Sequence, residues 1–124
     1  MKVVQTSSAP AAIGPYSQGI ISGNFVFTAG QIPISVGTGD IVGKNITEQT
    51  EQVIKNIRAI LEAAGSSLAK VIKTTCYLTT MDDFAAFNEV YGKHFKQKPA
   101  RSTVAVQQLP KNVLVEIEAI GVTD

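Results

Sequence analysis

The amino-acid sequence predicts an α/β (α+β) fold: one mixed β-sheet backed by two helices on one face. Three features carry this expectation. Two stretches repeat apolar residues at helical spacing, from Thr47 to Ala64 and from Asp83 to about Phe95. Runs rich in β-branched residues, of strand length, lie before, between and after them. Helix and strand alternate in the second half of the chain, which argues for right-handed crossovers onto a single sheet.

Taken in order, Val3 to Thr6 fits a short edge strand. Ser7 to Ser17 holds Pro10, Gly14 and Pro15 and reads as a loop. Ile20-Ile21-Ser22 and Phe25 to Thr28 flank Gly23-Asn24, a hairpin signal. Pro33 ends any ladder after Ala29-Gly30-Gln31-Ile32. The Gly-rich piece from Val36 to Asp40 is a loop.

The first helix aligns Val53, Ile57, Ile60, Leu61 and Ala64 as one stripe, with Thr47 as N-cap, Glu48 in the positive first turn and Gly65 as the stop. Burying its four larger side chains contributes roughly 1.5–3 kcal/mol each. Val71 to Leu78 is a strand. Asp82 or Asp83 caps the second helix, whose stripe is Phe84, Phe87, Tyr91 and Phe95. Strands from Arg101 to Val106 and Val113 to Ile120 follow, joined by the turn Leu109-Pro110-Lys111-Asn112.

In the last strand Val113, Val115, Ile117 and Ala119 share one side, and Leu114, Glu116, Glu118 and Ile120 the other. The first set suits packing under helices. The second mixes carboxylates with large apolar groups, more than a fully solvated face would carry. An oligomer covering this face, with polar sites at the seams, is the expectation.

Composition sets the bounds. The 124 residues, 44% hydrophobic, suit one domain spanning 1–124 with one core. Eleven basic and ten acidic side chains leave +1, which gives no reason to expect nucleic-acid binding. The single cysteine, Cys76, forbids an intrachain disulfide and favours a reducing compartment. With no signal-like or membrane-length apolar run, a cytoplasmic location is expected.

Few groups suit chemistry. Arg101 stands at the start of a strand with a charge that cannot be discharged, so it must be solvated or paired. It pairs with Glu116 or Glu118, lies at a solvated edge, or clamps a small carboxylate in bidentate fashion. Glu116 and Glu118 are either sheet-face residues or the source of a general base; no histidine joins them, so they form no metal motif. His94, the only histidine, fits a surface position near a helix end. Neither a Ser-His-Asp set nor a zinc cluster nor a phosphate loop can be assembled. Cys76 fits a buried small hydrophobe. Asn88 shares a helical side with Phe84 and Tyr91, so its amide needs a partner, backbone or ligand. Tyr16 packs in its loop or points its hydroxyl into a cleft. Gly30 serves a turn or lets a ligand reach the backbone.

Taken together the motifs are more specific. AAIGPYSQG (Ala11 to Gly19), AGQIP (Ala29 to Pro33), EAAG (Glu62 to Gly65), VYGKHF around Tyr91, KPARSTVAVQQLPKN and VEIEAIGV (Val115 to Val122) occur in order along nearly the whole chain. In these the sequence resembles the RidA (YjgF) family of reactive imine/enamine deaminases. The resemblance implies a chorismate-mutase-like fold and a homotrimer with clefts between subunits. It implies hydrolysis of 2-iminobutanoate, 2-iminopropanoate or their enamine tautomers to the 2-oxo acid and ammonia, without cofactor or metal. By position, Arg101 matches the arginine that binds the substrate carboxylate. Glu116 matches the acid that orients water, and Tyr16 the cleft tyrosine. Gly30, Asn88 and Thr103 match positions lining the pocket.

Two departures stand out. Thr103 replaces a cysteine of many members, which excludes a thiol role, and Ala29 replaces a serine of some. Some relatives are described as ribonucleases or translation inhibitors, and others as regulators or chaperones. Near-neutral charge and a lone histidine do not support RNA cleavage, whereas a small-acid sensor would keep Arg101 without turnover.

Overall fold

A computed structural model describes residues 1–124. Six strands form one sheet: β1 (Lys2–Val4), β2 (Gly19–Ser22), β3 (Phe25–Thr28), β4 (Val71–Leu78), β5 (Ala100–Ala105) and β6 (Val115–Val122). Two helices, α1 (Ile46–Ala63) and α2 (Phe84–His94), cover one face. The order across the sheet is β1-β2-β3-β6-β4-β5. All neighbours are antiparallel except β4 and β5, so the sheet is mixed as expected. The last strand in sequence lies at the centre, and β1 and β5 are the free edges.

β6 alternates as its sequence demands. Val115, Ile117 and Ala119 are buried under the helices, while Glu116, Glu118 and Ile120 face the other way, half exposed. The α1 stripe is fully buried at Val53, Ile57, Ile60 and Leu61, joined by Ile54 on the same arc. Phe87, Val90, Tyr91 and Phe95 complete the core from α2.

Several boundaries differ from expectation, each for a local reason. Asn45, not Thr47, caps α1: its Oδ1 accepts from the Glu48 N–H at 2.9 Å, and Glu48 Oε1 accepts from the Lys44 N–H at 2.8 Å. The helix stops where expected, with Gly65 in the left-handed region at φ +82°. Asp82 and Asp83 do not cap α2 with their side chains. They lie in a 3-10 turn (Met81–Asp83) whose own cap is Thr80, at 3.1 Å from the Asp82 N–H. Strand β6 runs two residues later than expected, because Pro110–Asn112 forms a 3-10 turn that delays the ladder. β5 begins one residue earlier, at Ala100, and β1 covers Lys2–Val4 rather than Val3 to Thr6.

Side chains rather than regular structure hold the long loops. Asn56 on α1 donates to the carbonyls of Ile32 at 3.1 Å and Ile34 at 3.0 Å. Gln49 accepts from the Leu114 N–H at 2.8 Å and donates to Gly43 O at 3.2 Å. Gln18, buried, donates to the carbonyls of Thr6, Ala9 and Pro10 and accepts from the Thr6 N–H at 2.7 Å. Each buried amide is thereby satisfied and each loop fastened to the sheet or helix below it.

The other face of the sheet has no cover. Phe25, Phe27, Val3 and Val104 are each more than two-fifths exposed, and the pairings Val3↔Ile20↔Phe27↔Ile120 and Val104↔Tyr77↔Glu116 place them on the face opposite the helices. No helix is long and apolar enough to cross a membrane.

Truncating Ile57 to alanine empties a fully buried site between helix and sheet. The Ile57→Ala variant should lose about 2–5 kcal/mol of unfolding free energy in a urea titration. Asn56→Ala should lose less overall, about 1–3 kcal/mol, since it leaves two loop carbonyls to find water.

Candidate functional site

Arg101 projects from β5 onto the helix side of the sheet. Its ladder partner is Thr74, which is fully buried and pairs in turn with Ala119. The guanidinium lies in a notch of α2. Its Cζ sits 4.7 Å from the Tyr91 ring centre, 5.4 Å from that of Phe84 and 5.9 Å from that of Phe87. Nη1 donates to Asn88 Oδ1 at 2.7 Å. No carboxylate lies within 4.0 Å; the chain's one such ion pair joins His94 and Glu51. The expected alternatives are therefore corrected: Arg101 pairs with neither Glu116 nor Glu118, and the partner of Asn88 is this guanidinium rather than a backbone group. Thr103 follows two residues along β5, level with Cys76 and on the same side, and its buried hydroxyl has no partner.

Glu116 occupies the other face. It is half-buried, and a Cβ added at Gly30 would collide with its carboxylate, 2.9 Å from Cδ. Glycine at 30 is what lets the main chain pass this close. Gln31 fixes the approach by exchanging two backbone hydrogen bonds with Ile117, at 2.8 and 3.2 Å. Burial, and secondarily the like charge of Glu118 on the same face, hold the Glu116 carboxyl above the usual carboxylate range. Glu118 also accepts from the Tyr77 hydroxyl at 3.4 Å. Gly30 and Gln31 line an open cleft of about 780 Å³ with Tyr16, Ile13, Ile34 and Lys111. Tyr16 is 54% exposed, and its loop is tied down by Gln18.

The six residues singled out from the sequence thus fall into two groups. Arg101, Asn88 and Thr103 gather beneath α2 at the β5 edge. Glu116 stands on the open face with Gly30 against it, and Tyr16 lines the same cleft as Gly30. β4 lies between the two strands concerned, and the sheet separates their side chains. Arg101 and Glu116 of one chain do not converge.

His94 ends α2 at the surface, as expected. Its Nε2 lies 2.5 Å from Glu51 Oε1 and links α2 to α1. Cys76 is buried as expected, its thiol pushed up to about 11 by burial, so it stays protonated at neutral pH. The sequence reading missed Gln18, Gln31 and Asn56 as the residues that fix both loops. A signal existed for one of them: Asn56 falls three residues after Val53, inside the buried arc of α1, where a polar group needs a partner.

Comparison with known proteins finds relatives in both sequence and fold over nearly the whole chain. Residues 6–123 match the model of the family described as endoribonuclease L-PSP. A RutC family protein of Pyrococcus horikoshii is 60% identical over 121 residues, 97% of this chain and 96% of the relative. A structure from Thermotoga maritima, provisionally described as an endoribonuclease, has a TM-score of 0.97 at 53% identity, covering 100% of this chain and 98% of that one. The structure of Escherichia coli TdcF with bound serine has a TM-score of 0.95 at 44% identity, with both chains fully covered. In sequence TdcF, provisionally named a reactive intermediate deaminase, is 46% identical over 125 residues, 98% of this chain and 96% of the relative.

The elevation of Glu116 has a sign that can be checked. A carboxyl whose native value exceeds its unfolded value binds more protons when folded, so stability falls as pH rises from the unfolded to the native value. Glu118→Gln removes the like charge and should move the Glu116 titration, followed by carboxyl 13C NMR, toward the ordinary range. Glu116→Gln should flatten the fall in stability across that same interval in denaturant titrations run at several pH values.

Proposed function

This chain belongs to the endoribonuclease L-PSP (YjgF/RidA/RutC) family, and on that premise we propose that it hydrolyses reactive 2-imino acids and their enamine tautomers. The substrates on this reading are 2-iminobutanoate and 2-iminopropanoate, and the products are the 2-oxo acid and ammonia. One observation carries the proposal. Arg101 is a half-buried guanidinium on aromatic faces, with no carboxylate of its own chain to neutralise it. Such a group suits a small carboxylate arriving from outside. The serine bound to E. coli TdcF has a carboxylate of this kind.

The chemistry needs little more. An imine carbon is electrophilic, the more so when its nitrogen is protonated, so no covalent nucleophile is required. Arg101 holds the carboxylate and thereby orients the imine. Glu116 takes a proton as water adds to the carbon. Glu116 returns this proton to the nitrogen of the carbinolamine and takes the hydroxyl proton as the C–N bond breaks, leaving the carbonyl and free ammonia. Burial raises the proton affinity of this carboxyl, which makes it a stronger base, and a placed base is typically worth about 10²–10⁴ in rate. Thr103 and Asn88 line the carboxylate end, and Gly30 and Tyr16 the water end.

Because these ends lie on opposite sides of one sheet, the reading places each site between two copies of the chain, in a homotrimer. The exposed Phe25, Phe27, Val3 and Val104 supply the apolar surface that such an assembly would cover. In each cleft Arg101 of one subunit faces Glu116 of the next.

The first test generates 2-iminobutanoate from threonine with a dehydratase in the presence of semicarbazide. The protein should speed 2-oxobutanoate release and starve the trap, and Arg101→Ala should lose at least about tenfold in kcat/KM. An unchanged trapping rate with the wild type would mean the reading is wrong, and would move small-acid sensing or RNA cleavage to the front.

The second test mixes Arg101→Ala and Glu116→Ala chains after joint refolding. Random assembly leaves about a quarter of the clefts intact, so activity should rise well above that of either variant alone. No recovery would mean that the two residues do not meet across a subunit boundary.

A further inference from the structure

An arginine recognises a carboxylate through two parallel bonds only when the plane of its guanidinium is fixed. A free arginine side chain carries about 2 kcal/mol of rotamer entropy that must be lost first. In this chain two groups come nearest the guanidinium. Asn88 Oδ1 takes one N–H at 2.7 Å. The ring of Tyr91 takes the face, at 4.7 Å, the shortest of the three aromatic distances.

Tyr91 is itself immobilised. Phe87 and Phe95 pack on it with ring centres 5.6 and 4.5 Å away. Its hydroxyl shares a 2.6 Å hydrogen bond with Thr74 Oγ1. Thr74 is fully buried on β4, and it is the residue paired with Arg101 in the parallel ladder. A closed circuit results, running from the Arg101 backbone across the ladder to Thr74, through its hydroxyl to Tyr91, and from the ring back to the guanidinium. Burial raises the Tyr91 phenol above its ordinary value, so the hydroxyl stays protonated and able to keep this bond.

We propose that Tyr91 is a positioning residue for carboxylate recognition by Arg101, its ring locked by Thr74 so that the guanidinium plane is set before the ligand arrives. The inference rests on the carboxylate-clamp reading above and extends it to residues that touch no substrate. The circuit fixes orientation and leaves the water-activating end on the other face untouched. Its loss should therefore weaken binding and spare turnover.

The test measures kcat and KM for 2-iminobutanoate, and the affinity for 2-oxobutanoate by NMR chemical-shift titration, on folded, equally assembled variants. Tyr91→Leu removes the nearest of the three rings and should raise KM and the dissociation constant at least about tenfold, with kcat within about threefold. Tyr91→Phe keeps the face and loses the lock, and should fall between Tyr91→Leu and the wild type. If Tyr91→Leu does not fold, Thr74→Val and Thr74→Ser decide the matter. The valine variant should weaken binding and the serine variant, which keeps the hydroxyl, should restore it. A melting temperature that drops while KM and the dissociation constant stay at wild-type values would overturn the proposal, leaving Tyr91 as core packing. A wild-type protein that neither turns over the imine nor binds 2-oxobutanoate would overturn the clamp reading itself, and this inference with it.

Discussion

Everything in this structure is phased from the central strand. β6 is hydrogen-bonded on both sides, by β3 and β4, and its side chains alternate without interruption between helix side and open side. A slip of one residue would bury Glu116 and Glu118 and expose Val115, Ile117 and Ala119, so the register is held by several kcal/mol of apolar burial. That one choice propagates. It sets Thr74 and Cys76 of β4 on the helix side, and through β4 it sets Arg101 and Thr103 of β5 there too. The side of the sheet on which each candidate site group stands is thus fixed by the packing of aliphatic residues.

The separation has an electrostatic consequence. Were Arg101 and Glu116 on one face, they would pair, and each would quench the other. Kept apart, the guanidinium meets only aromatic faces and one neutral amide oxygen. The carboxyl meets burial and a like charge, which raise its proton affinity. Both groups stay unspent in the isolated chain. On the proposed reading, an assembly that joins two copies would bring the two halves together and cover exposed apolar surface in the same event.

Loops carry half of the candidate site, and buried amides make them dependable. Gln18 binds three carbonyls of the N-terminal loop and so fixes the base from which Tyr16 projects. Asn56 holds Ile32 and Ile34, while Gln31 is pinned to Ile117, so Gly30 cannot retreat from Glu116. Amide side chains serve well here because each offers donors and an acceptor at fixed geometry without a charge to desolvate.

The sequence by itself determined what depends on neighbours along the chain. The period of Val53, Ile57, Ile60 and Leu61, the Gly23-Asn24 turn, the stop at Gly65 and the parity of Glu116 against Ile117 were all legible, because helix and strand periodicities are local. So was the family, since several motifs recur in order. Asn45 was overlooked in favour of Thr47 because both are good capping residues, and only the path by which the chain enters the helix selects between them. The partner of Asn88, the pairing of His94 with Glu51, the bonds of Asn56 to Ile32 and Ile34, and the bond of Gln49 to Leu114 join residues 13 to 65 positions apart. Parity within β5 and within β6 could each be read, but not their relative phase. That phase is set by hydrogen-bond register through β4, and register is decided only when the apolar sides of β4 and β6 are buried under the helices and β5 pairs alongside β4.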